Sequence, residues 1–173
     1  MTALPVRLMV YEYRQDDPKK CTAARLRRFG LVEQLRNIRA IPASSVVLNP
    51  IAQHRISRED RGIVENNGLV GLDCSWNRSE QIFLQRIPGA ARRLPALLAG
   101  NPTNYAVRGK LSTAEALAAA LFITGFATEA QRVLSLFKWG PTFLALNREP
   151  LEAYAEASLS NLPNVEAEFF DSN

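Results

Sequence analysis

Near the start of the chain, Val6, Leu8 and Val10 alternate with Arg7, Met9 and Tyr11, a period of two that predicts a first strand. Ser45, Val46, Val47 and Leu48 form a short apolar run closed by Asn49 and Pro50, which reads as a buried strand. Ser57 and Asp60 have the spacing of a capping box, so a helix is expected over 58–66, ended by Gly68. A second short apolar strand, 69–73, runs straight into Cys74, Ser75 and Trp76. A helical stretch over 79–85 and a third apolar segment near Leu94 should follow. The loop 99–109 holds Gly, Pro and two Asn and cannot be regular structure.

Beyond that loop the pattern turns helical. Ser112 and Glu115 form another capping box, opening a helix through 115–125 whose faces are nearly all apolar and which must therefore be buried. Its alanines allow neighbouring backbone to approach closely. Gly125 stops it, Thr128 with Gln131 restarts a helix, and 138–154 adds one or two more, with Pro150 expected in a first turn. Strands that alternate with helices favour a parallel sheet with helices on both faces, and such sheets bind ligands at the carboxyl ends of their strands. We find no internal repeat and no linker long enough to separate independent domains. One compact core is expected, since a chain of this size can bury roughly 70% of its unfolded surface.

Composition narrows the function classes. With 47% hydrophobic and 22% charged residues the 173-residue chain is globular in kind. Its longest apolar run, 116–123, is too short to span a bilayer, and its start lacks the unbroken apolar centre of a signal peptide. A soluble cytoplasmic protein is expected. Two cysteines and one histidine are too few for a structural zinc site, and His54 has no recognisable nucleophile beside it. The charge is uneven: the first 148 residues carry all 21 cations and 11 of the 17 acids, a net charge of +10. Arginine dominates those cations, and residues 14–39 hold eight of them. Its planar fork suits phosphate, so a polyanion such as RNA is a reasonable partner. A solvated surface is the plain alternative. The acidic end is expected as a solvated helix or tail facing away from that partner.

Phosphate-binding loops, the G-x-G-x-x-G fingerprint, the G-x-S-x-G elbow and H-E-x-x-H are all missing from the sequence. Four segments combine an expected element end with unusual residues: 19–26 (KKCTAARL), 73–76 (DCSW), 94–105 (LPALLAGNPTNY) and 111–116 (LSTAEA). Taken singly each has a structural explanation. Asp73 could cap a helix, Trp76 could fill the core and the 99–102 stretch could be only a turn.

Taken in order, with GLVGLDCSW before and LSTAEALAAALFITGF and FKWGPTFLALN after, they resemble the S-adenosylmethionine-dependent small-subunit rRNA aminocarboxypropyltransferases over 6–154. The resemblance implies a SPOUT-like α/β fold with a deep C-terminal trefoil knot and a small N-terminal α/β portion. A basic, RNA-facing 1–68 would pack with a cofactor-binding 69–173 as one unit. It further implies transfer of the 3-amino-3-carboxypropyl group of S-adenosylmethionine to a ring nitrogen of a hypermodified pseudouridine, late in small-subunit maturation. Carried over, the cofactor contacts are Thr22, Leu72, Asp73, Trp76, Leu94, Gly109 and Thr113. Leu72, Leu94 and Gly109 would act through backbone groups, and Trp76 would pack near the methyl group. Asp73 would either bind the cofactor's ammonium group or serve as general base. The chain departs from the family after NPTNY, where Gly-Arg-Pro-aromatic gives way to Ala106, Val107, Arg108 and Gly109. RNA contacts are expected at Lys19, Lys20, Arg25, Arg27 and Arg28, the partner being small-subunit rRNA or the pre-ribosomal particle and the protein a monomer without metal. The alternatives are a SPOUT-type RNA methyltransferase and a noncatalytic RNA-binding assembly factor.

Overall fold

The computed structural model describes residues 4–12, 21–73 and 85–170. Two compact units emerge, one formed by residues up to 54 with 62–93, the other by 55–61 with 94–173. The chain crosses between them at 54–55, 61–62 and 93–94 with no stretch of linker in between, which is why the sequence suggested a single core.

The first unit is a five-stranded parallel sheet. Strands β1 (Leu8–Glu12), β2 (Glu33–Leu35), β3 (Val46–Leu48), β4 (Leu69–Asp73) and β5 (Ala90–Arg92) lie in the order β2-β1-β4-β3-β5. Every pairing is parallel. Side chains alternate across a strand. Met9 of β1, Leu35, Val47, Val70 and Leu72 therefore share one face, where Ile41 completes a buried cluster and Ile38, Tyr11 and Ile87 pack against it. Leu8, Val10 and Glu12 have the opposite parity, as do Leu69, Gly71 and Asp73. Helix α1 (Thr22–Arg28) buries Ala23, Ala24 and Leu26 and exposes its arginines. Ser57 and Asp60 form the expected reciprocal box, at the head of a 3-10 turn over Arg58–Asp60 that leads into α2 (Arg61–Asn67). Gly68, at φ +91, ends the helix in a conformation that favours glycine.

The second unit is helical. Its centre is α3 (Thr113–Ile123), which buries eight of its residues, Glu115 among them. Gly125, at φ +97, stops it as expected. Helices α4 (Ala127–Leu134), α5 (Gly140–Glu156) and α6 (Leu162–Phe169) follow. α3 packs on α4 and α5, and α5 on α6.

Four local expectations are corrected. The third apolar segment, expected near Leu94, does not itself join the sheet, since Pro95 cannot donate to a ladder; the strand lies just before it, at Ala90–Arg92. Thr128 and Gln131 do not open α4; Phe126 stands at its cap without a side-chain bond. Residues 140–156 make one helix with Pro141 in the first turn, and Pro150 sits buried inside it, where its ring removes one internal hydrogen bond. The acidic end is not a solvated appendage: α6 buries Leu162 and Val165, and Glu166 is held by Arg55. The helix expected over 79–85 falls almost wholly outside the described residues. None of the described helices is long and apolar enough to cross a membrane.

Candidate functional site

Parallel sheets gather ligands where neighbouring strands send their connections to opposite sides. Here that point lies between β1, which leads outward to β2, and β4, which leads the other way to β5. Their last residues, Glu12 and Asp73, are in register. The sheet thus brings two carboxylates to one edge, on one face. Glu12 accepts hydrogen bonds from Arg27 of α1 and from Gln34 Nε2 at 3.2 Å. Asp73 Oδ2 accepts from the thiol of Cys21 at 2.8 Å. Cys21 is the N-cap of α1 and Thr22 the helix's first residue, so two of the expected cofactor residues, Thr22 and Asp73, are drawn together from sequence positions far apart. Burial, and then the Asp73 carboxylate, push the Cys21 thiol up to about 12, so it is a protonated donor at neutral pH. Leu72 packs into the core face of the sheet.

Leu94, Gly109 and Thr113 lie in the second unit. Residues 96–100 run extended without joining the sheet, and their main chain is satisfied in two ways. On one edge, helix side chains take its polar groups. Ala96 N donates to Glu166 Oε2 at 3.1 Å and Ala96 O accepts from the Tyr154 hydroxyl at 2.9 Å. Asn147 pairs with Leu98 as a strand would, accepting from its N–H and donating to its carbonyl, both at 2.8 Å. Gly100 N donates to Glu115 Oε2 at 2.6 Å. On the other edge the chain folds back on itself. Ala99 N donates to Val107 O, Ala106 N to Ala99 O and Gly109 N to Leu97 O. Gly100 is required there, since a Cβ would fall 2.7 Å from the Phe143 backbone of α5. Gly109, at φ +79, and Ala106, at φ +61, both take left-handed backbone. A glycine thus suits the position where the family's aromatic stands, whereas Ala106 occupies a conformation that favours glycine. Thr113 is the first residue of α3, capped by Ser112.

Arg25, Arg27 and Arg28 are all exposed on α1. Arg27 is engaged by Glu12, and the Arg25 guanidinium lies 5.4 Å from the ring of exposed Phe29. Trp76, Lys19 and Lys20 lie outside the described residues. His54 is exposed. Among the described residues no group of three or more His, Cys, Asp or Glu side chains could hold a metal ion. Sequence reasoning missed Glu12, which lies in no motif, gave no role to Asn147 at the end of FKWGPTFLALN, and took Glu115 for a helix cap.

These features define an α/β protein of ribosome maturation: residues 46–170 match the family described as "Ribosome biogenesis protein, C-terminal". Residues 6–38 also match a "possible Fer4-like domain in RNase L inhibitor", but a four-iron cluster takes four thiolates and this stretch has only Cys21. The 16S rRNA aminocarboxypropyltransferase of Methanopyrus kandleri is 48% identical over 169 residues, covering 94% of this chain and 97% of that protein. The Thermoplasma acidophilum protein of the same name is 42% identical, with 94% and 100% covered. The solved structure of the SAM-dependent rRNA acp-transferase Tsr3 from Vulcanisaeta distributa is 40% identical, superposes with a TM-score of 0.86 and covers 96% of both chains. The chain belongs to the 16S rRNA aminocarboxypropyltransferase family.

Proposed function

We propose that this protein transfers the 3-amino-3-carboxypropyl group of S-adenosylmethionine to a ring nitrogen of a hypermodified pseudouridine in small-subunit rRNA. The observation that carries this reading is the near full-length identity to transferases of that name, at 48% over 169 residues. The chemistry of the residues fits the donor. A carboxylate, Asp73, and a hydroxyl on the residue next to its partner Cys21, Thr22, suit an amino-acid group, and residues 94–101 offer fixed backbone for a nucleoside edge. When bound, S-adenosylmethionine would supply a sulfonium-activated carbon, its C–S bond breaking so that the methylthioadenosine part is the neutral leaving group.

The chain's own work is positioning, because near-attack geometry decides which carbon meets the base. Thr22 and Asp73 hold the amino-acid end. Leu72, Leu94 and Gly109 act through main-chain groups, Thr113 through the first turn of α3, and Trp76 shields the methyl group. The ring nitrogen loses its proton as the new C–N bond forms, and Asp73 either receives that proton or holds the donor's ammonium group. Arg25, Arg27 and Arg28, with Lys19 and Lys20, face the RNA. In this reading 1–68 is the RNA-facing portion and 69–173 the cofactor-binding, SPOUT-like portion with a deep trefoil knot, working as a cytoplasmic monomer without metal.

Mass analysis of small-subunit rRNA nucleosides with and without the protein tests the assignment. With donor labelled separately in the methyl and carboxyl carbons, only the carboxyl label should enter rRNA. Entry of the methyl label would mark a methyltransferase, and entry of neither, with RNA still bound, a noncatalytic assembly factor.

A further inference from the structure

The contacts assigned to Leu94, Gly109 and Thr113 belong to two pieces of chain, the 94–109 hairpin and the start of α3. One side chain joins them. Glu115 is fully buried, and both its oxygens are used: Oε2 accepts from Gly100 N at 2.6 Å, while Oε1 accepts from Asn101 Nδ2 at 2.7 Å and from Ser112 N at 2.9 Å. Among the described residues every group that reaches it is a neutral N–H. A buried carboxylate is expensive unless its lone pairs are filled. Here three donors and the positive end of α3 fill them. A capping box needs only the Ser112 bond; the other two go to the neck of the hairpin. The remaining side-chain anchors of that hairpin, Asn147 and Tyr154 from α5 and Glu166 from α6, make no bond to the head of α3 among the described residues.

We infer that Glu115 is a positioning residue for the donor, fixing the hairpin against the first turn of α3 through the main chain of Gly100 and the side chain of Asn101. It touches no ligand atom. The inference rests on the proposed use of Leu94, Gly109 and Thr113 as cofactor contacts. A ligand read by backbone groups on two separate segments needs them fixed to about 0.5 Å, and this carboxylate supplies the link.

Glu115→Gln separates the link from the cap. A glutamine can keep its oxygen on Ser112 N and Asn101 Nδ2, but then turns an N–H toward Gly100 N–H, donor against donor. Ser112→Ala is the control, because it removes the bond from Glu115 N to Ser112 Oγ and leaves Gly100 held. The readouts are amide exchange at Gly100 in ligand-free protein, thermal stability, and S-adenosylmethionine affinity by calorimetry. Glu115→Gln should speed exchange at Gly100 and weaken affinity about ten-fold or more, on the scale of a lost charge-assisted bond. Ser112→Ala should lower stability comparably and leave both other readouts unchanged. Equal losses of affinity in the two variants, or unchanged affinity in Glu115→Gln, overturn the inference. If Glu115→Gln does not fold, Asn101→Ala decides by the same readouts, with a smaller loss expected and unchanged affinity again overturning it. Failure of the unmodified protein to bind the donor would overturn the transferase reading as well, which distinguishes the two failures.

Discussion

Cys21 and Asp73 meet through a thiol-to-carboxylate hydrogen bond of 2.8 Å that ties the start of α1 to the end of β4. The thiol's ordinary value of 9.0 rises to about 12, first through burial and then through Asp73. A raised folded-state value means that the native chain holds the proton more tightly than the unfolded one. The resulting stability is present below about 9 and is lost as pH rises through about 12. Alkylation of Cys21 at pH 7–8 should therefore be much slower than that of a free cysteine. Mass mapping of iodoacetamide adducts on Cys21 checks this, and labelling as fast as a model peptide would contradict it.

Asp73→Asn keeps an oxygen for the Cys21 thiol but removes the charge. Activity should fall by roughly 100-fold or more if Asp73 is the general base, at the low end of what such groups contribute. Calorimetry separates the two roles left open for it. Unchanged donor affinity with lost turnover assigns the base, and lost affinity assigns the ammonium contact.

Asn147 is a different case, because its work is structural. It mimics a strand partner for Leu98 and also donates to Phe143 O at 2.9 Å within α5. Asn147→Ala leaves the half-buried Leu98 N–H and carbonyl without their partner, and each unsatisfied group costs about 1–3 kcal/mol. Denaturant unfolding should report a loss of about 3 kcal/mol. A loss below about 1 kcal/mol would mean that Leu98 finds other partners.

Much of the sheet and of α3 was legible because hydrophobic period and capping boxes are local signals. Strand 69–73 and Ser112 with Glu115 behaved as read, and the strand expected from Val6 forms two residues later, at Leu8–Glu12. β2 was not legible, since Glu-Gln-Leu has no period to recognise. The 94–101 segment was hidden for a deeper reason: its main-chain partners are Glu115, Asn147, Tyr154 and Glu166, residues up to 70 positions away on three helices. Spacing along the chain carries no trace of such pairings. Glu166 shows the converse failure. An acidic C-terminal run suggests solvent, yet its carboxylate is the fork that binds Arg55 and the Ala96 amide together.

Ala106 marks a place where the chain departs from its family's glycine. At φ +61 an alanine costs about 1–2 kcal/mol, partly offset by the smaller entropy it loses on folding. Ala106→Gly should raise stability by up to about 1 kcal/mol. A measured destabilisation would show that the turn relaxes away from the left-handed region.

The α1 arginines should differ in what they give to RNA. Arg27 already neutralises Glu12, whereas Arg25 and Arg28 are exposed on the same helix, with Arg25 stacked over Phe29. Each phosphate contact to a single strand contributes about 0.7 to the slope of log affinity against log salt. Replacing Arg25 and Arg28 together with serine should weaken rRNA binding and lower that slope by about 1.4. Arg27→Ser should change the slope less and the folding stability more, since it leaves the Glu12 carboxylate at the end of β1 with Gln34 but without its cation. Binding titrations at several salt concentrations check the first expectation and thermal melts the second. An undiminished slope in the double variant would move the RNA surface elsewhere on the protein.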